Sequence, residues 1–389
     1  MLELNASNKK IKILLVIPTD FESKESNGGI RVFKNHVEEL SNNQNIDLTL
    51  MQPKSQSFSL KKKELYHVGI STPFMFGQIN KLIKLINYLI NRLPYDVFAR
   101  LPSAKNGIDI NLNDYEYIIV DHIYSFGLLK GDIGQYKSKC YYISHNIETK
   151  ICVEREDKAI NFFERFFYKF DTWLMSKFEK VILNSIDNII WLSEVDLLAA
   201  PDLPKSRYFI PEMLPVRNSR WRYSNSKYVV FLGGLNYFPN YDAMEWVCSY
   251  LAEELKNIGV EVFHVGKSEG YLNNLKSDNV NFKGFVSDDD LQNILNNSIC
   301  LISPIELGSG VKVKVLEAVC RGVPVVASEQ SFYGIKHTSA SYILKQRDEV
   351  HWSGVIKDVM NKRDELEIAY DEYEKCYNNR LTISKLIGC

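Results

Sequence analysis

At 389 residues the chain is too long for one ordinary domain and fits two, and its 45% hydrophobic and 24% charged content is that of a globular protein in water. A formal net charge of −1 excludes a strongly basic nucleic-acid binder. Seven cysteines (Cys140, Cys152, Cys248, Cys300, Cys320, Cys376 and Cys389) are odd in number, scattered and without Cys-x-x-Cys spacing, which points to a reducing compartment with idle thiols and against a structural zinc site.

Lys12–Pro18 reads as a first buried strand, too short to span a membrane and without the flanks of a signal peptide, so the expectation is a cytoplasmic protein. A loop over Thr19–Asn27 leads to Gly28-Gly29 and a helix from Ile30 to about Ser41; the glycine pair is either a tight turn or a cradle for phosphate or sugar. Asp47–Met51 is a second strand. Residues 51–107 then carry nine Lys or Arg (Lys54, Lys61, Lys62, Lys63, Lys81, Lys84, Arg92, Arg100, Lys105) against two acids, Glu64 and Asp96. Within them, Phe76–Leu93 places Ile79, Leu82, Ile83, Ile86, Leu89 and Ile90 at helical spacing. Two readings stay open for that helix. It packs on the core with its lysines in solvent, or it lays a basic amphipathic face against an anionic membrane or lipid-linked acceptor, a peripheral contact at the inner face of the plasma membrane.

Tyr115–Val120 and Cys140–Ser144 are the next strands, ending at Asp121-His122 and at His145-Asn146. Strand ends are where a doubly wound sheet places its ligand, so both histidines are candidates. Ile160–Phe178 reads as a long helix whose aromatics (Phe162, Phe163, Phe166, Phe167, Tyr168, Phe170, Trp173) face the core. Lys180–Asn184 and Ile189–Ser193 read as short strands, and Glu194–Ala199 as a helix. Pro201, Pro204, Pro211 and Pro215 mark Pro201–Ser226 as the linker between domains.

The alternation restarts with a strand at Tyr228–Gly233, a helix over Tyr241–Asn257, and strands at Val260–Val265 and Val280–Phe282. Ser287 caps the following helix, and Asp288, Asp289 and Asp290 in its first turn suit the helix dipole better than a metal. Cys300–Ser303 is a strand, Gly308-Ser309-Gly310 a loop of little bulk, Val311–Arg321 a helix, and Val323–Ala327 a strand. The helix N-terminus, with Lys312 and Lys314 in its first turn, favours an anion such as a diphosphate, and Glu317 is a carboxylate able to hold a ribose diol. Ser341–Leu344 and helices from Asp348 and Asp364 close the chain.

The run Pro304-x-x-x-Gly308-Ser309-Gly310-Val311-Lys312-x-Lys314-Val315-Leu316-Glu317-Ala318-x-x-x-Gly322-x-Pro324-Val325-Val326 resembles the donor-site signature of the large retaining, nucleotide-sugar-dependent glycosyltransferases of the GT-B fold (glycosyl transferases group 1, family 4-like). Many members carry two glutamates separated by seven residues. The second maps onto Glu317, implied to bind the ribose, and the first falls at Ser309, with Glu306 out of register. Ser144-His145-Asn146-x-Glu148 is similar to the family's His-Asn motif, whose histidine lies near the transferred sugar.

The resemblance implies an α/β chain of two doubly wound, Rossmann-like domains facing across a cleft. Residues 1–205 would form the acceptor-side domain, 206–226 the linker and 227–369 the nucleotide-sugar domain, with a C-terminal helix over about 370–389 returning to the first. The implied donor contacts are Gly28, Gly29, Gly234, Asn236, Gly284, Phe285, Val286, Gly308, Ser309, Gly310, Val311, Lys312, Lys314 and Glu317. Many relatives clamp the diphosphate with an arginine and a lysine near Gly233-Gly234, where this chain has Asn236 and Asn240, so that duty passes to Lys312 and Lys314. His145 and Lys314 are the catalytic candidates, and His122 and Asn146 lie on the acceptor side. The implied activity is retaining transfer of a sugar from a UDP- or GDP-sugar to a saccharide or lipid-linked saccharide in bacterial surface polysaccharide or glycoconjugate synthesis, with no cofactor and no metal. A nucleotide-sugar epimerase, or a catalytically silent partner of a transferase or polypeptide, fits the same fold.

Overall fold

The computed structural model of the protein describes residues 10–22, 28–62, 65–76, 79–103, 110–129, 131–157, 159, 161–200, 206–215, 220–222, 225–273, 275, 277–308 and 310–389. They form two compact α/β units, 1–210 with 381–389, and 211–380.

The strands of the first unit are β1 (Ile11–Val16), β2 (Ile46–Lys54), β3 (Phe58–Lys62), β4 (Leu65–Ser71), β5 (Tyr117–Asp121), β6 (Cys140–Ser144), β7 (Asn188–Trp191) and β8 (Ser206–Phe209). They order as β3-β4-β2-β1-β5-β6-β7-β8, and every pairing is parallel except β3 with β4. Ile13 to Val16 have no exposed surface, because helices cover both faces of a parallel sheet and its central strand can be apolar throughout. The helices of this unit are α1 (Gly28–Ser41), α2 (Lys81–Asn91), the short α3 (Tyr95–Phe98), α4 (Glu148–Asp157), α5 (Phe162–Ser185) and α6 (Glu194–Ala199).

The second unit holds β9 (Tyr228–Leu232), β10 (Glu261–Val265), β11 (Val280–Phe282), β12 (Leu301–Ser303), β13 (Val325–Ser328) and β14 (Ser341–Leu344), ordered β11-β10-β9-β12-β13-β14 and all parallel. Its helices are α7 (Phe238–Trp246), joined by a π-turn to α8 (Ala252–Asn257), then α9 (Asp288–Asn296), α10 (Val313–Val319), α11 (Glu349–Asn361), α12 (Arg363–Leu366) and α13 (Ile368–Asn379). A last short helix, α14 (Ile383–Leu386), belongs to the first unit, where Ser384 N–H donates to Glu39 of α1 at 3.0 Å.

Several expectations need correcting. Lys180–Asn184 is the last part of α5, not a strand: Ile182 and Leu183 continue the buried face of Met175 and Glu179 at helical spacing, an ambiguity that short apolar runs always carry. Residues 206–226 are not a free linker. Tyr208 pairs with Ile190 as β8 on the edge of the first sheet, and Trp221 is buried in the second unit with its indole N–H on the Ser298 carbonyl at 2.8 Å. The expected tail helix is divided: α13 stays in the second unit, where the buried Tyr373 hydroxyl donates to Leu214 O at 2.8 Å, and only 381–389 joins the first. The aromatics of α5 do not all face inward, since Phe162, Phe163, Phe166 and Trp173 are exposed. Nor is α2 packed by its apolar face, which points outward; Tyr88 is its one buried residue. β3, β4 and α4 were not expected at all, because their composition is mixed rather than periodic. No helix among the described residues is long and apolar enough to cross a membrane. All seven cysteines are free, and burial pushes the Cys140 thiol up to about 12.

Candidate active site

In each sheet the chain leaves its first strand in one direction and later returns to pair on the other side. That reversal falls between β1 and β5 in the first unit and between β9 and β12 in the second. The loops at the carboxyl ends of the strands flanking it open a crevice that no crossover covers. The candidate residues collect at these two places.

In the first unit, β5 ends at Asp121 and β6 is followed by His145. The Asp121 carboxylate has no exposed surface and accepts from two imidazoles: His36 Nδ1 on α1 reaches Oδ2 at 2.7 Å, and His145 Nε2 reaches Oδ1 at 2.5 Å. Burial opposes charge on Asp121, but His36 and His145 outweigh it and hold the carboxyl well below its usual range. An ionised Asp121 accepts an N–H from each ring, so His145 turns a protonated Nε2 towards it.

A second carboxylate lies beside the first. His122, at the left-handed φ of 72°, accepts the Tyr124 N–H on Nδ1 at 3.4 Å and meets Glu148 Oε1 through Nε2 at 3.3 Å. Glu148 also accepts from the Tyr124 hydroxyl at 2.6 Å and from Asn146 Nδ2 at 3.2 Å. Burial works against its ionisation; His122 foremost, then Tyr124 and Asn146, bring it down to about 2. The His122 and His145 rings are 5.1 Å apart. Asn146 Oδ1 is buried and accepts no hydrogen bond from the described residues. The structure thus brings His145, His122 and Asn146 together. His36, Asp121 and Glu148 are the partners that single-residue reading missed. Only the burial of His36 was legible, since it shares the helical face of Phe33, Val37 and Leu40. Gly28 and Gly29 form the first turn of α1, not a loop ahead of it.

In the second unit, β9 runs into Gly233-Gly234. Gly233 has φ 147°, and a Cβ there would lie 2.7 Å from Asn240 Nδ2 and 2.9 Å from Lys314 Nζ. Lys314 Nζ donates to Asn240 Oδ1 at 2.5 Å, and Asn240 Nδ2 donates to Gly234 O at 2.8 Å, so one amide fastens the lysine to the strand-end loop. Burial first, then the charge of Lys312, pulls the Lys314 ammonium down to about 7. Among the described residues no carboxylate pairs with it. His264 lies beneath, donating through Nε2 to Gly233 O at 2.9 Å; burial, and less so Lys314, keeps it neutral with a pKa lowered to about 4. The neighbouring strand ends are tied to this loop: Gly233 N–H donates to Val265 O and Gly266 N–H to Gly284 O, each at 2.9 Å. Beyond Gly284, at φ 69°, Val286 packs on the core while Phe285 is 75% exposed. Asn236 is exposed on the turn after Gly234.

The glycine loop after β12 is organised differently from the expectation. Lys312 is buried, and its Nζ donates to Gly308 O at 2.8 Å and Gly310 O at 3.0 Å, so it braces the loop instead of projecting a charge from it. Gln330 adds a donor to Gly308 O at 2.5 Å. Gly308 and Gly310 have φ of 83° and 77°, left-handed values that suit glycine. α10 starts at Val313, so the amides of Gly310 and Val311 precede the helix and do not form its first turn. Glu317 is 1% exposed and bonded to Arg321 at 2.5 Å; a ribose would have to share it with that guanidinium. Ser309 lies outside the described residues. Ser287 caps α9 by accepting the Asp290 N–H at 3.1 Å, which places Asp288, Asp289 and Asp290 against the dipole. Among the described residues no group of three His, Cys, Asp or Glu could hold a metal ion.

Comparison with known proteins bears on the fold. A 44.6 kDa protein from the cps region of Klebsiella pneumoniae is 20% identical over 387 residues, covering 96% of this chain and 98% of its own. The structure of sucrose-phosphate synthase from Thermosynechococcus elongatus matches with a TM-score of 0.65 at 14% identity, over 95% of this chain and 94% of that one. TarM of S. aureus, in a complex with alpha-GlcNAc-glycerol and UDP, matches with a TM-score of 0.58 at 12% identity, over 97% and 98%. The family described as Glycosyl transferases group 1 matches residues 226–362. The chain therefore has the GT-B fold, and its residues 226–362 match the glycosyl transferases group 1 family.

Proposed function

We propose that the protein transfers a hexosyl group from a nucleoside diphosphate sugar to a hydroxyl of a saccharide or lipid-linked saccharide, with retention at the anomeric carbon. Lys314 carries this reading. It is a lysine drawn into the protein at the switch point of a parallel sheet and held by a neutral amide, and no carboxylate among the described residues pairs with it. Buried charges are ordinarily paired, so the site calls for an anion from outside. A donor diphosphate supplies one.

As the bond between sugar and β-phosphate breaks, negative charge grows on the leaving diphosphate, and Lys314 is already in place to stabilise it. Gly233-Gly234, and Gly308 and Gly310 held by Lys312, would let the phosphates approach backbone. Gly284-Phe285-Val286 would receive the base, with Phe285 available for stacking. In the first unit, His145 held by Asp121, together with His122 and the Asn146 oxygen that accepts no hydrogen bond from the described residues, would serve the acceptor and the transferred sugar. UDP is the favoured nucleotide because the TarM complex holds it, and the cps-region relative favours surface polysaccharide synthesis. With Lys314 meeting the diphosphate, the reaction needs no metal, and excess EDTA should leave turnover unchanged.

The test is a panel of UDP- and GDP-sugars scored by thermal shift and by release of free nucleotide. A rise in Tm with one donor, and slow hydrolysis of that donor to nucleoside diphosphate, supports transfer. Recovery of an isomeric nucleotide sugar would replace it with epimerisation. The absence of any shift across the panel would make the chain a silent partner.

A further inference from the structure

α2 is inside out for a surface helix. Its only buried residue is Tyr88, while Leu82, Ile83, Ile86, Leu89 and Ile90, at spacings of three and four, are each between 48% and 71% exposed. The helix is nonetheless well fixed. Asn80 caps its start by accepting the Leu82 N–H at 2.9 Å, and the Tyr88 hydroxyl donates to Asp171 of α5 at 2.9 Å. Tyr88 also lies 5.6 Å from the Phe167 ring and 6.0 Å from the Phe170 ring, so α2 and the first half of α5 are neighbours within the first unit. α5 repeats the pattern: Phe162, Phe163 and Phe166 are between 68% and 84% exposed.

Charge says what covers these faces. Lys81 and Arg92 at the two ends of α2, and Arg165, Lys169, Lys177 and Lys180 along α5, are all exposed. Of the acids on the two helices, Asp171 and Glu179 are buried and occupied by Tyr88 and Tyr95, and by Glu148 N–H and Thr149; only Glu164 is partly exposed. A second copy of the chain would set like charges against each other. A soluble polyanion would leave the aliphatic and phenyl groups in water. Apolar side chains flanked by lysines, with Trp173 beside them and Lys177 Nζ 3.8 Å from its ring centre, match the boundary between acyl chains and anionic headgroups. We propose that the outward faces of α2 and α5 seat the first unit on an anionic lipid bilayer.

The experiment is co-sedimentation of the full chain with phosphatidylcholine vesicles, with and without phosphatidylglycerol, at low and high salt. The wild type should pellet with the anionic vesicles at low salt, about tenfold more weakly with neutral ones, and less at high salt. The triple variant Ile86→Glu, Leu89→Glu, Phe163→Glu should lose binding by about tenfold or more with an unchanged Tm, since all three side chains face solvent. Leu198→Glu, an exposed leucine on α6, should bind like the wild type and controls for added charge. A wild type that stays in the supernatant overturns the proposal, and so does a triple variant that pellets equally well. A dimer that the triple variant converts to monomer, without vesicle binding, would assign the surface to a second copy instead.

Discussion

The ionisation of Lys314 can be read as a pH dependence of donor binding. Burial and Lys312 pull the ammonium from its usual 10.5 down to about 7, so in the free protein at neutral pH the group is only half charged. A diphosphate binds the charged form. The apparent Kd is therefore the intrinsic value multiplied by one plus the ratio of neutral to charged lysine. That factor is about 2 at pH 7, about 11 at pH 8 and about 100 at pH 9, a weakening of roughly fifty-fold across the range, or a little over 2 kcal/mol. The ligand does not add to the slope, because the last ionisation of a terminal phosphate, near about 6, is essentially complete by then. Calorimetric titration of UDP and GDP in two buffers of different ionisation heat should show uptake of about half a proton at pH 7, approaching one at the alkaline end. Lys314→Met should bind weakly with a flat profile, and its kcat should fall by about 10²–10³-fold. A wild-type Kd that does not change between pH 7 and pH 9, with no proton uptake, would refute the assignment.

Three further outcomes are expected. His264 is fully buried and lowered to about 4, so between its usual 6.5 and 4 the unfolded chain binds a proton that the native one refuses; stability falls with pH through that window, by about 3 kcal/mol in all. His264→Gln keeps a donor for Gly233 O and should lose that much less in urea melts at pH 4, and equal losses would remove His264 as the cause. Gly308→Ala meets a left-handed φ of 83° and the Tyr237 hydroxyl 2.7 Å from the new Cβ. The backbone strain alone is about 1–2 kcal/mol. UDP affinity should drop, and adding Tyr237→Phe should restore part of it; a double variant no better than the single one would show that the contact is irrelevant. His145→Ala should leave the Kd for UDP within about twofold while kcat falls about 10²-fold or more, and a parallel loss of UDP binding would assign His145 to the donor instead.

The strand ends were legible because parallel strands buried on both faces read as unbroken apolar runs, and the first polar residue after such a run marks the edge where ligands sit. That is why Asp121-His122, His145-Asn146 and Gly233-Gly234 could be placed in advance. What joins them could not. Asp121 gathers His36 from 85 residues away and His145 from 24 away, and Asn240 meets Lys314 across 74 residues, pairings that exist only once the sheet has assembled. The helix α2 shows a different limit. Its period correctly announced one apolar face, but periodicity gives a direction around the helix axis and says nothing about which side holds the protein.

The two lysines of the glycine loop show how far apart neighbours in sequence can end up. Lys312 and Lys314 have the same chemistry and stand two positions apart, a spacing that never puts two side chains on one helical face. α10 begins between them. Lys312 stays on the non-helical side and folds back onto the Gly308 and Gly310 carbonyls, where it satisfies the turn and is used up. Lys314 is inside the helix and is carried across to the end of β9, where it donates to the Asn240 amide oxygen. The two are still coupled, because the fixed charge of Lys312 helps hold the Lys314 ammonium near neutrality. One lysine therefore braces the loop and lowers the pKa of the other, and the other is placed where the proposed donor diphosphate would meet it.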